Sequence, residues 1–124
     1  MSLTMIEHLS NLPDNVVGIA ASGHVTVADY KTVLLPAIEA ALKKHDKVRL
    51  LYELSSNFTG FTTGAMWEDM KVGMAHLTAW ERVAVVTDVS WVANAASMFG
   101  FVMPCPVKVF SIKDRAEAEA WILA

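Results

Sequence analysis

Apolar and polar positions alternate along this chain with two different periods. Met5–Asn11 (MIEHLSN) and Val16–Gly23 (VVGIAASG) are short apolar runs. The LPDN between them is turn chemistry, so together they predict a β-hairpin. From Thr26 to about His45 the spacing lengthens. Val27, Tyr30, Val33, Leu34, Ala37, Ile38, Ala41 and Leu42 recur at three- and four-residue steps, which predicts one helix with one buried face. Thr26 with Asp29 is a capping-box pair at its start, with Asp in place of the longer Glu. Pro36 lies inside the pattern. It removes one helical hydrogen bond and crowds the preceding turn, so a kink or break is expected near Thr32–Pro36.

KVRLLYEL (Lys47–Leu54) predicts a strand, and the hydroxyl- and amide-rich Ser55–Thr63 predicts a loop. Thr62–Thr78 predicts a second helix, with Met66, Met70, Gly73, Met74 and Leu77 as its apolar stripe. Glu81–Asp88 holds Val83–Val86, four consecutive apolar residues of the kind a buried parallel strand needs. Ser90–Met103 predicts a helix that is apolar nearly all round. Pro106–Ile112 is the last strand, and Asp114 is expected to cap a final helix, RAEAEAWIL, with Ala118, Trp121 and Ile122 inward. A hairpin followed by helix–strand alternation implies an α/β fold. Its sheet is mostly parallel, with four to five strands and right-handed crossovers.

The 124 residues fit a single domain, 1–124, with a substantial core. Hydrophobic residues make up 54% and charged residues 19%, a composition that folds. Net charge is −3, and the Lys and Arg residues (for example Lys43, Lys44, Lys47 and Arg49) are scattered with acidic ones among them, which argues against nucleic acid as a partner. The opening MSLTMIEHLS does not read as a signal peptide, and no stretch reaches the ~18 apolar residues of a membrane span. Cys105 is the one cysteine, so no internal disulfide forms and a cytoplasmic setting is expected. Flanked by Pro104 and Pro106, with Lys108 the only basic residue close in sequence, it reads as a packed thiol.

The stretches GHVTVADYKTVLLPAIEAAL, FTGFTTGAMWEDMKVGMAH, WERVAVVTDVSW and VKVFSIKDRAEAEAWIL together resemble the SpoIIAA-like family, related to the STAS domains of anti-sigma-factor antagonists, in a divergent branch. The resemblance covers nearly the whole chain. It implies a small α/β domain in which strands and helices wind as a superhelix, and a protein that binds partners and is not an enzyme. In the sporulation regulators a serine at the start of the helix after the third strand is phosphorylated, within an Asp-Ser-Ser-Gly type motif. Here the matching segment is ELSSNFTGFTTG; Ser55 and Ser56 are present, and the flanking Asp and Gly are not.

Two readings of Ser55–Thr63 stand together. Ser, Asn and Thr satisfy local backbone groups in turns, and Thr62 or Thr63 is a natural helix cap. The segment also leaves the carboxyl end of a predicted strand, where open α/β sheets bind ligands, beside a helix N-terminus able to hold an anion. A hydrolase would need a base, and His24 at the same sheet edge is the candidate for Ser55 or Ser56; no Gly-x-Ser-x-Gly elbow presents either serine. No two of His8, His24, His45 and His76 stand at i,i+3 or i,i+4, and no Cys/His cluster exists, so no metal and no cofactor is expected. Glu68 and Asp69 point about 100° apart on a helix, which is a solvated face.

The uncharged Ser90–Met103 helix carries the functional expectation. Exposed apolar patches mark interfaces, and symmetric homodimers are the commonest. Trp91, Ala95, Met98, Phe99 and Val102 are the candidate interface. Methionines adapt to varied apolar shapes, so a small apolar ligand is expected to meet Ser55, Ser56, Asn57, Trp67, Met70, Met74 and Trp91, with Trp67, Trp80 and Trp91 as rims. A regulatory protein partner is the alternative occupant.

Overall fold

A computed structural model describes residues 6–62, 64, 71, 78–101 and 103–124, with only the backbone described at Phe99. Most of the predicted second helix, with Trp67, Met70 and Met74, therefore lies outside the described residues, as do His76 and Val102, while Gly64 and Lys71 are helical.

The chain runs β1 (Ile6–His8), β2 (Val16–Val25), α1 (Val27–Asp29), a π-helical turn (Tyr30–Leu34), α2 (Leu35–Lys44), β3 (Val48–Phe61), β4 (Trp80–Val86), α3 (Ser90–Gly100), β5 (Val107–Phe110), a 3-10 turn (Ile112–Asp114) and α4 (Arg115–Leu123). The five strands form one sheet in the order β1-β2-β3-β4-β5. β1 is antiparallel to β2, with Ile6 opposite Ala21. β2 to β5 are mutually parallel. The expected α/β architecture, mostly parallel behind an N-terminal hairpin, is what forms, with five strands.

The hairpin turn works as its sequence reads: Val16 N–H donates to the Pro13 carbonyl at 3.0 Å, and Leu9 N–H to the Gly18 carbonyl at 2.9 Å. Gly18 lets the returning chain come close there. A Cβ on it would sit 2.2 Å from Leu12 Cδ1 and 3.1 Å from Leu9 Cβ, so the returning chain lies directly on the strand.

The Thr26–Asp29 capping box is complete. Thr26 N–H donates to Asp29 Oδ2 at 2.7 Å and Asp29 N–H to Thr26 Oγ1 at 3.4 Å. Near Pro36 the α-helix is interrupted, as expected, but without a change of backbone region: Leu34 and Leu35 both stay right-handed helical. The turn before it widens instead. Leu35 N–H donates to the Tyr30 carbonyl, an i→i−5 bond. This wider ring gives the proline room where the regular i−4 carbonyl would clash with it. Thr32 Oγ1 donates to the Ala28 carbonyl at 2.8 Å and satisfies that acceptor through the irregular turn.

Strand alternation sends side chains to two cores. Tyr30, Leu34 and Ile38 pack with Ile19, Tyr52, Leu54, Val83, Val85 and Val92 on the inner face. On the outer face Val16, Leu51, Ala84 and Val86 meet Ala118 and Ile122 of α4. All four residues Val83–Val86 are buried, as their unbroken apolar run requires. The Tyr30 and Tyr52 hydroxyls meet at 3.0 Å inside the inner core. No helix among the described residues is long and apolar enough to cross a membrane.

Asp114 stands at the N-cap position of α4 but makes no side-chain capping bond. Its carboxylate instead accepts from Ser111 Oγ at 3.1 Å. The 3-10 turn before α4 puts Asp114 outside the extended conformation that aims a capping side chain at the helix.

Candidate functional site

β3 outruns its neighbour. Its pairing with β4 stops at Glu53 opposite Val86, while β3 continues to Phe61 beside the end of β2. The predicted Ser55–Thr63 loop is thus strand as far as Phe61, and the correction has a local cause. Between the Ala21–Leu54 and Gly23–Phe58 pairs β2 advances two residues while β3 advances four, so Ser55, Ser56 and Asn57 lie across a bulge. A second shift lies between the Gly23–Phe58 and His24–Gly60 pairs. Ser55 Oγ donates to Asn57 Oδ1, a local bond of the kind read as turn chemistry, here inside the bulge. Gly60 has φ +142°, which glycine adopts freely, and its missing Cβ faces the His24 ring at 3.6 Å.

This register separates the serines from the candidate base. His24 stands opposite Gly60, and Ser55 lies several residues away along β3. The structure does not bring Ser55 or Ser56 together with His24. Thr62 N–H donates to the Val25 carbonyl at 2.9 Å; Thr63, the other candidate cap, lies outside the described residues.

The extension carries two aromatic rings that sequence reasoning passed over. Phe58 and Phe61 pack edge to face with centroids 4.9 Å apart. Trp91, at the start of α3, stands 6.5 Å from Phe58 and 6.0 Å from Phe61, and Tyr30 adds a contact to Phe61 at 6.5 Å. Aromatic residues at Phe58 and Phe61 amid Ser, Asn and Thr were the available signal for a strand here, since they favour a pleated, half-buried surface.

The cluster fixes how α3 presents itself. Val92 is buried, Ala93 and Ala96 are half-buried, and Trp91, Ala95 and Met98 face outward. Met98 is 71% exposed and Trp91 47%. Phe101, just past the helix, is 89% exposed and extends the same apolar surface; it was not among the sequence candidates. No acidic or basic residue occupies either terminal turn of α3. Of the expected interface, Trp91, Ala95 and Met98 therefore form an open stripe, the Phe99 side chain and Val102 lying outside the described residues. The helix ends at Gly100, earlier than the expected Met103, and Met103 turns into the core. Trp80, expected as a rim, is 3% exposed within the inner core.

Cys105 is half-buried against that core. Burial pushes its thiol pKa up, partly opposed by the ammonium of Lys47 and not of Lys108. Among the described residues no group of His, Cys, Asp and Glu side chains converges as a metal site would.

A family model named SpoIIAA-like matches residues 16–123. The chain belongs to the SpoIIAA-like family. A crystal structure of an uncharacterised DUF3478-family protein from Shewanella loihica PV-4, with a SpoIIAA-like fold, superposes with a TM-score of 0.76 at 22% identity, covering 98% of this chain and 97% of that one. That likeness bears on the fold. No curated protein matches the sequence. Within this SpoIIAA-like chain, Ser55 and Ser56 sit in a strand bulge, not at a helix start, which is where the resemblance had set the phosphorylated serine.

Proposed function

We propose that this SpoIIAA-like chain is a non-enzymatic binding domain that pairs with a second copy of itself through the open face of α3. The observation that carries the reading is the uncharged surface on which Trp91, Ala95, Met98 and Phe101 are exposed, with the small polar side chains of Asn94 and Ser97 beside them. A two-fold contact sets the same patch against itself. A charged patch would repel its copy there, whereas this one has no charge to repel. Antiparallel pairing across the axis also sets each helix's positive end against the other's negative end. The separation of His24 from the serines supports binding over hydrolysis. A lone cysteine fits a reducing compartment, so we read the protein as cytoplasmic.

Native mass spectrometry of the protein as purified from cells tests this. A dimer is the expected species, and additional non-covalent mass on it would add a small apolar ligand bordered by Trp91. A monomer at every concentration overturns the self-association, and a regulatory protein partner then becomes the occupant to seek.

A further inference from the structure

We propose that α4 is a latched strap, a helix that closes over the outer face of the sheet and opens as a unit while the strands beneath stay paired. The inference is independent of the α3 surface, which lies on the opposite side of the sheet.

The first observation is how little apolar contact holds α4. Its two buried side chains are Ala118 and Ile122, with Trp121 partly buried beside them. α2 likewise buries two side chains, Ile38 and Ala41, and α3 buries Val92, but the inner face shares its load with Tyr30 and Leu34 of the π-helical turn and with Tyr52, Phe58 and Trp80, whereas on the outer face α4 is the one helix among the described residues. A short helix seated on two buried side chains belongs to the low-stability end of a structure, where local opening is set by few apolar contacts.

The second observation is the nature of the remaining contacts. They come from charged groups of the strands and converge on the two ends of α4. At its start, Arg115 Nε donates to Glu53 Oε2 on β3 at 2.8 Å. At its end, one Arg49 nitrogen donates to the carbonyls of Ile122 and Ala124 at 2.8 and 2.7 Å. An Arg82 nitrogen donates to the Trp121 carbonyl at 2.8 Å, and its guanidinium lies 5.3 Å from the Trp121 ring. Lys108 stands at 5.3 Å over the same ring. The last carbonyls of a helix lack intrahelical partners and carry its negative end, so two guanidinium groups there supply both hydrogen bonds and charge. Contacts of this type weaken with added salt, whereas apolar burial does not.

The third observation is the hinge. Ser111–Asp114 joins β5 to α4 through a single 3-10 turn, and Asp114 does not cap α4. Ile112 N–H is held by Asp88 Oδ1 at 3.0 Å, which anchors the near end of the hinge to the loop after β4. Rotation beyond Asp114 therefore leaves β5 in place. What it uncovers is an apolar strip of Leu51, Ala84 and Val86, rimmed by Arg82 and by the freed arm of Arg49. Arg49 Nε stays bonded to Glu81 at 2.5 Å, so that guanidinium keeps its position on the open face.

Hydrogen exchange read by mass spectrometry on the whole chain tests the strap. Amides of Arg115–Leu123 are expected to exchange faster than those of central β3, and raising NaCl from low to molar concentration should speed the α4 amides by about tenfold or more while β3 is unchanged. Arg82→Leu, which keeps apolar bulk and removes the donor, should reproduce the effect at low salt; Arg82→Lys should restore part of the protection. If the α4 and β3 amides exchange together at every salt concentration, α4 opens only with the whole fold and the strap is overturned. Fast α4 exchange that ignores salt overturns the latch. The salt series on the unmodified protein decides the matter even if a variant fails to fold.

Discussion

Met98→Glu isolates the proposed interface from the fold. The side chain is 71% exposed, so in the lone chain it has little packing to lose. An exposed substitution of this kind shifts stability by about 0.5 kcal/mol or less. The dimer is another matter. Fully burying a Met side chain contributes roughly 1.5–3 kcal/mol, and the 71% still open leaves about 1–2 kcal/mol to be gained per copy. A two-fold contact counts it twice, which gives about 2–4 kcal/mol lost on substitution. At 1.4 kcal/mol per tenfold, the variant is expected to bind itself roughly 30- to 1,000-fold more weakly. Two carboxylates brought together near the axis add repulsion in the same direction. Sedimentation velocity across a concentration series reads the association, and a thermal melt by circular dichroism reads the fold. An unchanged dimer with an unchanged melt would refute the assignment of this surface. A collapsed melt would refute the claim that Met98 points away from the core.

Gly18→Ala should destabilise: Leu12 Cδ1, 2.2 Å from the added methyl group, can swing aside, but Leu9 Cβ at 3.1 Å is fixed to the backbone and the hairpin return must shift with it. Overpacking of about 1–3 kcal/mol, less the 0.5–1 kcal/mol gained by removing a strand glycine, leaves a net cost of up to about 2.5 kcal/mol and a Tm lower by up to about 10 °C; a higher Tm would show that the return does not press on β2. Cys105 should alkylate slowly at neutral pH. Burial raises its thiol pKa, so the folded state favours the protonated form; that contribution is whole below the unfolded pKa and disappears as pH rises through the folded one, and urea midpoints should fall on the alkaline side. Iodoacetamide reaction as fast as that of a free thiol at pH 7 would contradict the burial. A serine-directed phosphonate should leave the intact mass unchanged; labelling that disappears in Ser55→Ala would overturn the non-enzymatic reading.

Local chemistry was legible where it served local structure. Thr26 and Asp29 formed the box their spacing promised, and Val83–Val86 entered the sheet as an unbroken buried run. Two places misled because the same local chemistry served a longer-range end. Ser55, Ser56 and Asn57 satisfy one another as turn residues do, yet the turn is a bulge that lets β3 stay paired with β2 as far as Phe61. Pro36 removes a donor as any proline does, yet the chain stays helical by widening at Tyr30–Leu34, and Tyr30 and Leu34 at the two ends of that turn are both buried in the core.

The candidate surface shows a subtler limit, and it ties these elements together. α3 is weakly phased: the small polar residues Ser90, Asn94 and Ser97 share one exposed face, and Val92 and Ala96 lie opposite it. With apolar residues everywhere else, that faint polar face leaves Trp91 and Met98, beside it, unassigned. What fixes them comes from outside the helix, from Phe58 and Phe61, which hold Trp91 by its ring at one end, and from Gly100, whose missing Cβ lets α3 approach Val107 to within 3.2 Å of that position at the other. With both ends fixed, Val92 must turn in and Met98 out. The residues that decide what α3 offers a partner are therefore on β3 and β5, and the bulged extension, polar enough to pass for a loop, is what orients the apolar face.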